Sequence, residues 1–393
     1  LFPAFNHVFI YLSHLGCTFM VYKLSKILGF SRQASNIAAV FFFISPATLG
    51  TVLGIDSLNQ TYSQLWCLAG TWAYLSLKGR KKTAIWLVCV TIATLVKENG
   101  IMFFIIPQML SYAVKKHDLR RLATDTAIAA GVAAVYVLAR ISLSDGSIYI
   151  NDGYFSNTKI KNISVLISMI WTPFDYIYLW YKPDKNLPMA ALTLAMTMPF
   201  VIFLFASNIK NARRRMFLML VISFFTAALP NILTLLTSMH AYCALGVAAL
   251  LAAYLADNVR NRRMLHLLLC PFVISVVYTD AHHWHKAYLS GMKGESMANT
   301  LISKIGKPTD SIYVISVYDN EERYSMFCVT ALDAFGDGNA LQHATGYRWP
   351  KRLDSTRIIP EDLRNIGCMV DNAVKQGYEK VILIKNGKAD VIR

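Results

Sequence analysis

Ten apolar runs fill the first 280 residues, and the short loops between them alternate between basic and base-poor. Few folds are open to such a chain. Runs of this length and composition enter a bilayer as helices, because a helix satisfies its own backbone where water cannot. The runs are residues 5–28, 36–55, 61–77, 83–96, 101–114, 122–141, 188–207, 216–236, 241–256 and 264–279. Lys23, Lys26 and Arg32 fall on one side, with Lys210, Arg213, Arg214 and Arg215, and with Arg260, Arg262 and Arg263. Residues 56–60, 142–162, 231–240 and everything after Asp280 fall on the other. The basic set is assigned to the cytoplasm, which leaves the first residues outside.

Composition agrees with an integral membrane protein: 55% of residues are hydrophobic, only 16% are charged, and mean hydropathy is +0.40. The net charge of +16 resides in the short loops, so nucleic-acid binding is excluded as its explanation. Compact loops point to a bacterial inner membrane, with the endoplasmic reticulum as the alternative. One stretch breaks the alternation. Residues 163–181 begin outside and must also end outside, so they are expected to be re-entrant or interfacial. Pro173 breaks the helix there, and Trp171, Tyr176, Tyr178, Trp180 and Tyr181 suit an aromatic belt. A full span with a miscounted neighbour is the other reading.

After Asp280 the composition changes. A helix is expected over 296–306, a strand over 311–317 (SIYVISV), helices over 321–335 and 360–376, and a strand over 380–384 (KVILI). Alternating strand and helix predict a small α/β domain with a partly parallel sheet. The expected architecture is a polytopic all-α membrane domain over residues 1–280, with about ten spans, and an extracytoplasmic α/β domain over 281–393.

The runs 83–96 and 101–114 bear most directly on function. Each is 14 residues, about 21 Å as helix against a hydrocarbon core of about 30 Å. Lys78, Arg80, Lys81 and Lys82 precede the pair, and Lys115, Lys116, Arg120 and Arg121 follow it. The turn Lys97-Glu98-Asn99-Gly100 should therefore lie below the outer surface, where ionisable groups are expensive and line a cavity or ligand site. A lysine there offers a point charge to a phosphate, and Glu98 can pair with it or orient it. A Lys–Glu pair that only satisfies itself at a helix end is the plain alternative.

Other polar groups share the external side. Asp56, Asn59 and Gln60 surround the second turnover; Arg140, Asp145, Asn151 and Asp152 flank the long loop. A carboxylate there acts as a general base, holds a cation or caps a helix. Arg140 alternatively snorkels from its span. His7 and His14 are seven apart on one helix face, lining a cavity or held by a neighbouring helix. His282, His283 and His285 surround Trp284 and read as a juxtamembrane anchor rather than a metal site. Of seven cysteines, Cys17, Cys67, Cys89, Cys243 and Cys270 fall in apolar runs; Cys328 and Cys368 pair in an oxidising compartment or stay free. No cofactor is assigned, and room is left for a divalent cation.

Several of these residues together resemble the GT-C class of polytopic glycosyltransferases. The branch is that of protein O-mannosyltransferases and tetratricopeptide-linked transmembrane mannosyltransferases. His7 and His14 occupy the histidines of its "FHxxNxxxHxxN", with Asn6, Ile10 and Cys17 departing from it. Phe43-Ile44-Ser45-Pro46 followed by Asp56-Ser57-Leu58 looks like its proline-containing span and polar turn. Lys97-Glu98-Asn99-Gly100 matches its "KExG". Leu229-Pro230-Asn231 and His240-Ala241-Tyr242 with Gly246 resemble "LPxxN…RYxYxxxxG", with His240 where arginine is usual. The resemblance covers residues 5–256, and order rather than any single motif carries it.

The resemblance implies a GT-C-like bundle that takes a sugar from a polyprenyl-phosphate donor, on the outer face, to an unknown acceptor. Lys97 would contact the donor phosphate with Glu98 positioning it, and Arg140 and His240 would serve the same anionic region. His7, His14, Asp56, Asn59, Gln60 and Asn99 would line the cavity. The family's catalytic carboxylate lies in a loop before the span equivalent to 5–28, hence upstream of Leu1. The C-terminal domain would bind acceptor or cover the site, with Tyr347, Arg348 and Trp349 stacking on sugars. The competing readings are a transporter or flippase for a lipid-linked or small anionic substrate, and a scaffold with the same fold.

Overall fold

The computed structural model describes residues 3–54, 57–114, 119–143, 159–173, 211–233, 238–259, 261–305, 311–317, 352–385 and 388–392. The chain divides into two compact units, residues 1–180 with 185–280 and residues 181–184 with 281–393.

Among the described residues the first unit is all helix. Its α-helices are α1 (Pro3–Ile27), α2 (Arg32–Ile44), α3 (Leu49–Val52), α4 (Leu58–Ser76), α5 (Gly79–Val96), α6 (Ile106–Ala113), α7 (Leu119–Leu143), α8 (Lys159–Trp171), α9 (Asn211–Leu233) and α10 (Ala241–Asn258). Then α11 (Arg262–Ile305) begins here and runs on past Asp280. Helix α10 is the axis of the bundle, packed on α1, α2, α4 and α9. It is buried nearly all round from Ala241 to Ala256, and its many alanines let neighbours approach closely. Ser31 caps α2, its Oγ accepting from the Ala34 N–H at 3.3 Å, while its own N–H donates to Asp257 Oδ1 at 3.1 Å. Pro46 opens a 3-10 turn, Pro46–Thr48, that bends the second span by 44°.

Among the described residues five helices are long and apolar enough to cross a membrane, and six if the bent pair from Arg32 to Val52 is one span. This corrects the expectation of about ten. Helix α4 falls short because its interior is polar: Gln60, Thr61, Ser63, Gln64 and Thr71 are all buried along it. Helix α5 begins with Arg80, Lys81 and Lys82 already inside its first turn. Residues 101–114 are not one helix. They divide into the end of a 3-10 segment, Glu98–Phe104, and the two turns of α6, which Pro107 starts. The run 188–207 lies outside the described residues, as do residues 174–187 of the proposed re-entrant segment; its first part is helical as α8 and ends before Pro173.

In the second unit, β1 (Ser311–Val317), β2 (Arg352–Ile358), β3 (Lys380–Lys385) and β4 (Lys388–Val391) form one sheet in the order β2-β1-β3-β4. The pairs β1–β2 and β1–β3 are parallel, and β3–β4 is antiparallel. Strand β1 is buried on both faces, the reason SIYVISV reads as a continuous apolar run. A 3-10 turn, Pro360–Asn365, leads into α12 (Ile366–Lys375), which crosses from β2 to β3. Ile315, Ile358, Ala373, Tyr378 and Val381 make the core between helix and sheet. The expected helix over 296–306 is the end of α11, and residues 321–335 lie outside the described residues.

Candidate functional site at the broken hairpin

Helix α5 ends where Lys97 turns to extended backbone, with its N–H still bonded to Ala93 O at 2.9 Å. The chain then reverses in the 3-10 segment Glu98–Phe104, and the Gly100 N–H closes the turn on Lys97 O at 2.9 Å. Gly100 lies flat on the last turn of α5. A Cβ there would stand 2.6 Å from Thr94 N and 2.7 Å from the Ala93 carbonyl carbon, so any side chain is excluded. Side chains hold the irregular backbone on both flanks. Ser63 Oγ donates to Ala93 O at 2.9 Å, Trp86 Nε1 to Phe103 O at 3.2 Å, and Gln108 Nε2 to Phe104 O at 2.8 Å.

At the turn Lys97 Nζ lies 2.9 Å from Glu98 Oε1, the lysine mostly buried and the glutamate half exposed. Arg140, near the end of α7, donates from its Nη1 to Tyr136 OH at 2.8 Å. Lys97 and Glu98 thus form one ion pair at the turn, with Arg140 on α7 bonded to its own helix. Asn99 is buried and faces inward. Its Nδ2 donates to Asn231 Oδ1 at 3.4 Å, and Asn231 Nδ2 donates to His240 O at 2.9 Å. His240 closes the 3-10 turn Ser238–His240, which packs against the turn Pro46–Thr48 and α3. Ser57 Oγ donates to Met239 Sδ at 2.9 Å.

Irregular backbone at Ser45-Pro46, Lys97-Glu98 and Ser238–His240 is therefore linked beside the last described turn of α9. Non-helical backbone within a membrane bundle persists only where protein buries it or where it lines a cavity. Discontinuous helices of this kind are also how membrane proteins present charges and free backbone groups to a ligand.

The remaining candidates are placed unevenly. His14 is 2% exposed and held from both sides: Nδ1 pairs with Tyr242 OH at 2.7 Å, and Nε2 with Phe43 O at 3.1 Å. Its ring stacks on Phe42 and Phe43 at 5.3 Å each. His14 and Asn99 are both packed, and both bond to protein. Gln60 is buried, Asn59 is exposed and His7 is half-buried. Asp56 lies outside the described residues, as do Asp145, Asn151, Asp152, Cys328, Tyr347, Arg348 and Trp349. His240 joins the cluster through its backbone carbonyl. His282, His283 and His285 point to different sides of α11, His283 inward and the other two outward. Among the described residues no three His, Cys, Asp or Glu side chains are placed to hold a metal ion.

One functional-looking cluster escaped the sequence. Lys82, read above as a loop charge, is 1% exposed and lies 3.0 Å from Asp125 Oδ2 on α7. Asp125 also accepts from Tyr74 OH at 2.8 Å and Thr83 Oγ1 at 3.2 Å, and Lys82 Nζ sits 3.6 Å from the Tyr74 ring centroid. This cluster occupies the opposite end of α5 from Lys97. A lone Asp in an apolar run at helix depth was the available signal. No model of a protein family, no curated protein and no solved structure matches the chain.

Proposed function

We propose that the protein is an integral membrane glycosyltransferase that takes a sugar from a polyprenyl-phosphate donor on the extracytoplasmic face, in a bacterial inner membrane. The observation that carries this reading is the Lys97–Glu98 pair, 2.9 Å apart, on an irregular turn joined through Asn99 and Asn231 to the 3-10 turn before α10. A lipid phosphate needs positive charge beside an apolar wall. Lys97 and Arg140 supply the charge, and the bundle surface supplies the wall. In this account Lys97 binds the phosphate and Glu98 holds the ammonium in place between turnovers. The Asn99–Asn231–His240 contacts build the floor. The α/β unit lies outside the membrane and takes part in acceptor binding.

The test is glycosyl transfer from a polyprenyl-phosphate sugar in membranes carrying the full-length protein. Lys97→Ala is expected to abolish transfer, and an unchanged rate overturns the assignment. The broken helices also suit a transporter. Movement of the intact lipid-linked sugar across vesicles, without cleavage of its glycosyl–phosphate bond, would favour that reading instead.

A further inference from the structure

We infer that Asn231 is the positioning residue of the Lys97-Glu98 turn, an amide latch that joins the broken hairpin to the start of α10. The inference rests on the reading of Lys97 as the phosphate contact. Asn231 is 2% exposed and uses both ends of its amide. Oδ1 receives the Asn99 Nδ2 proton at 3.4 Å, and Nδ2 gives one to His240 O at 2.9 Å. The amide orientation follows from those partners, since a carbonyl can only accept. Asn99 is the residue after Glu98, so the latch acts two residues from Lys97.

Three features make this more than another buried hydrogen bond. First, the two elements it joins are both irregular: the 3-10 segment Glu98–Phe104 and the 3-10 turn Ser238–His240. Neither has a continuous helical ladder to fix its position. Second, Pro230 precedes Asn231 within α9, and proline withdraws an N–H from the ladder and frees a carbonyl one turn earlier. Asn231 thus sits just past a position of α9 that cannot donate to the helix ladder. Asn162 Nδ2 donates to Ile232 O at 3.0 Å in the same turn. Third, Gly100 packs the start of the segment against α5 on one side, at Ala93 and Thr94. Asn99–Asn231 holds it from the other. The bond at 3.4 Å is long, so it steers rather than clamps. Removing it leaves the fold in place and lets Lys97 move.

Asn162 provides the control, because it bonds the same turn of α9 through the Ile232 carbonyl rather than through Asn231. Binding of undecaprenyl phosphate to the full chain in lipid nanodiscs is measured for the wild type, Lys97→Ala, Asn231→Ala, the isosteric Asn231→Asp, Asn99→Ala, Asn99→Ala with Asn231→Ala, and Asn162→Ala. Amide hydrogen exchange across residues 98–104 is followed alongside. The expected result is loss of binding in Lys97→Ala and about tenfold weaker binding in Asn231→Ala and Asn231→Asp, equivalent to about 1.4 kcal/mol. Asn99→Ala should match them. The double variant should be no weaker than the worse single one, because both act through one contact. Exchange over 98–104 should rise in these variants and not in Asn162→Ala, which should bind as the wild type does. Wild-type affinity in Asn231→Ala, with Lys97→Ala still defective, overturns the latch and leaves the phosphate reading standing. Equal weakening in Asn162→Ala and Asn231→Ala also overturns it, since any loss of packing in α9 would then serve. If Lys97→Ala binds as the wild type does, the phosphate reading falls and the latch falls with it.

Discussion

Lys82 and Asp125 form an ion pair 3.0 Å apart that joins the first turn of α5 to α7, with both side chains almost wholly removed from solvent. Tyr74 from α4 completes the contact through its hydroxyl to Asp125 and its ring beneath Lys82. One carboxylate therefore ties three helices at the end of the bundle away from Lys97.

Removing one member of such a pair leaves a buried charge alone. Asp125→Ala or Lys82→Ala is expected to lower the stability of the bundle by about 3–5 kcal/mol. Replacing both, Lys82→Met with Asp125→Leu, should restore most of the loss. Thermal unfolding in nanodiscs measures this, and a single variant as stable as the wild type contradicts the pairing.

Gly100 and Gly246 are both crowded, against different atoms. An added Cβ at Gly100 meets the backbone of Ala93 and Thr94, which cannot yield without moving α5. At Gly246 it meets Gln64 Nε2, the far end of a flexible side chain. Gly100→Ala should therefore destabilise by about 1–3 kcal/mol and impair phosphate binding, with Gly246→Ala the milder. The reverse order in unfolding measurements would remove the packing argument for the turn.

The division between what was legible and what was not follows from the type of signal. Strands β1 and β3 were readable because burial on both faces makes their sequences unbroken apolar runs. Strand β2, RLDSTRI, was missed. It has half-exposed faces and three charged residues, Arg352, Asp354 and Arg357, so its place in the sheet comes from pairing with β1. The Lys97-Glu98-Asn99-Gly100 turn was readable as charge and glycine between short apolar runs. Its role for Asn231 was not, because a contact 132 residues away in the chain leaves no local pattern. The polar interior of α4 and the inward turn of Lys82 were hidden for the same reason. The span count assumed that apolar runs face lipid and charges face water.

In the second unit, Asp354 titrates below the usual carboxylate range. The Tyr378 hydroxyl bonded to it is the main cause and the Arg352 guanidinium at 3.0 Å adds to it, against a smaller effect of desolvation. A depressed folded value means the contribution to stability is full above the unfolded value of about 3.9. It is lost as pH falls through the folded value. Amide exchange in β2 and at Tyr378 should therefore accelerate below about pH 4. Asp354→Asn should flatten that acid response, and an acid response identical in the variant would contradict the assignment.

The proposed topology makes a separate demand. With exposed native cysteines replaced, single cysteines at Asn59 and Lys293 should react with an impermeant thiol reagent from outside intact cells, and one at Lys81 should not. Labelling of either Asn59 or Lys293 only from the cytoplasmic side would invert the membrane orientation and put the Lys97 turn on the wrong face.

The central claim is that Lys97 recognises a lipid-borne phosphate, and its most direct test compares two ligands that differ only in that group. Undecaprenyl phosphate and undecaprenol are titrated against the wild type and Lys97→Ala in nanodiscs of neutral lipid. The account predicts that the wild type binds the phosphate at least tenfold more tightly than the alcohol, a difference of about 1.4 kcal/mol or more. In Lys97→Ala the two ligands should bind alike. Equal binding of both ligands by the wild type, or an undiminished phosphate preference in Lys97→Ala, would contradict it.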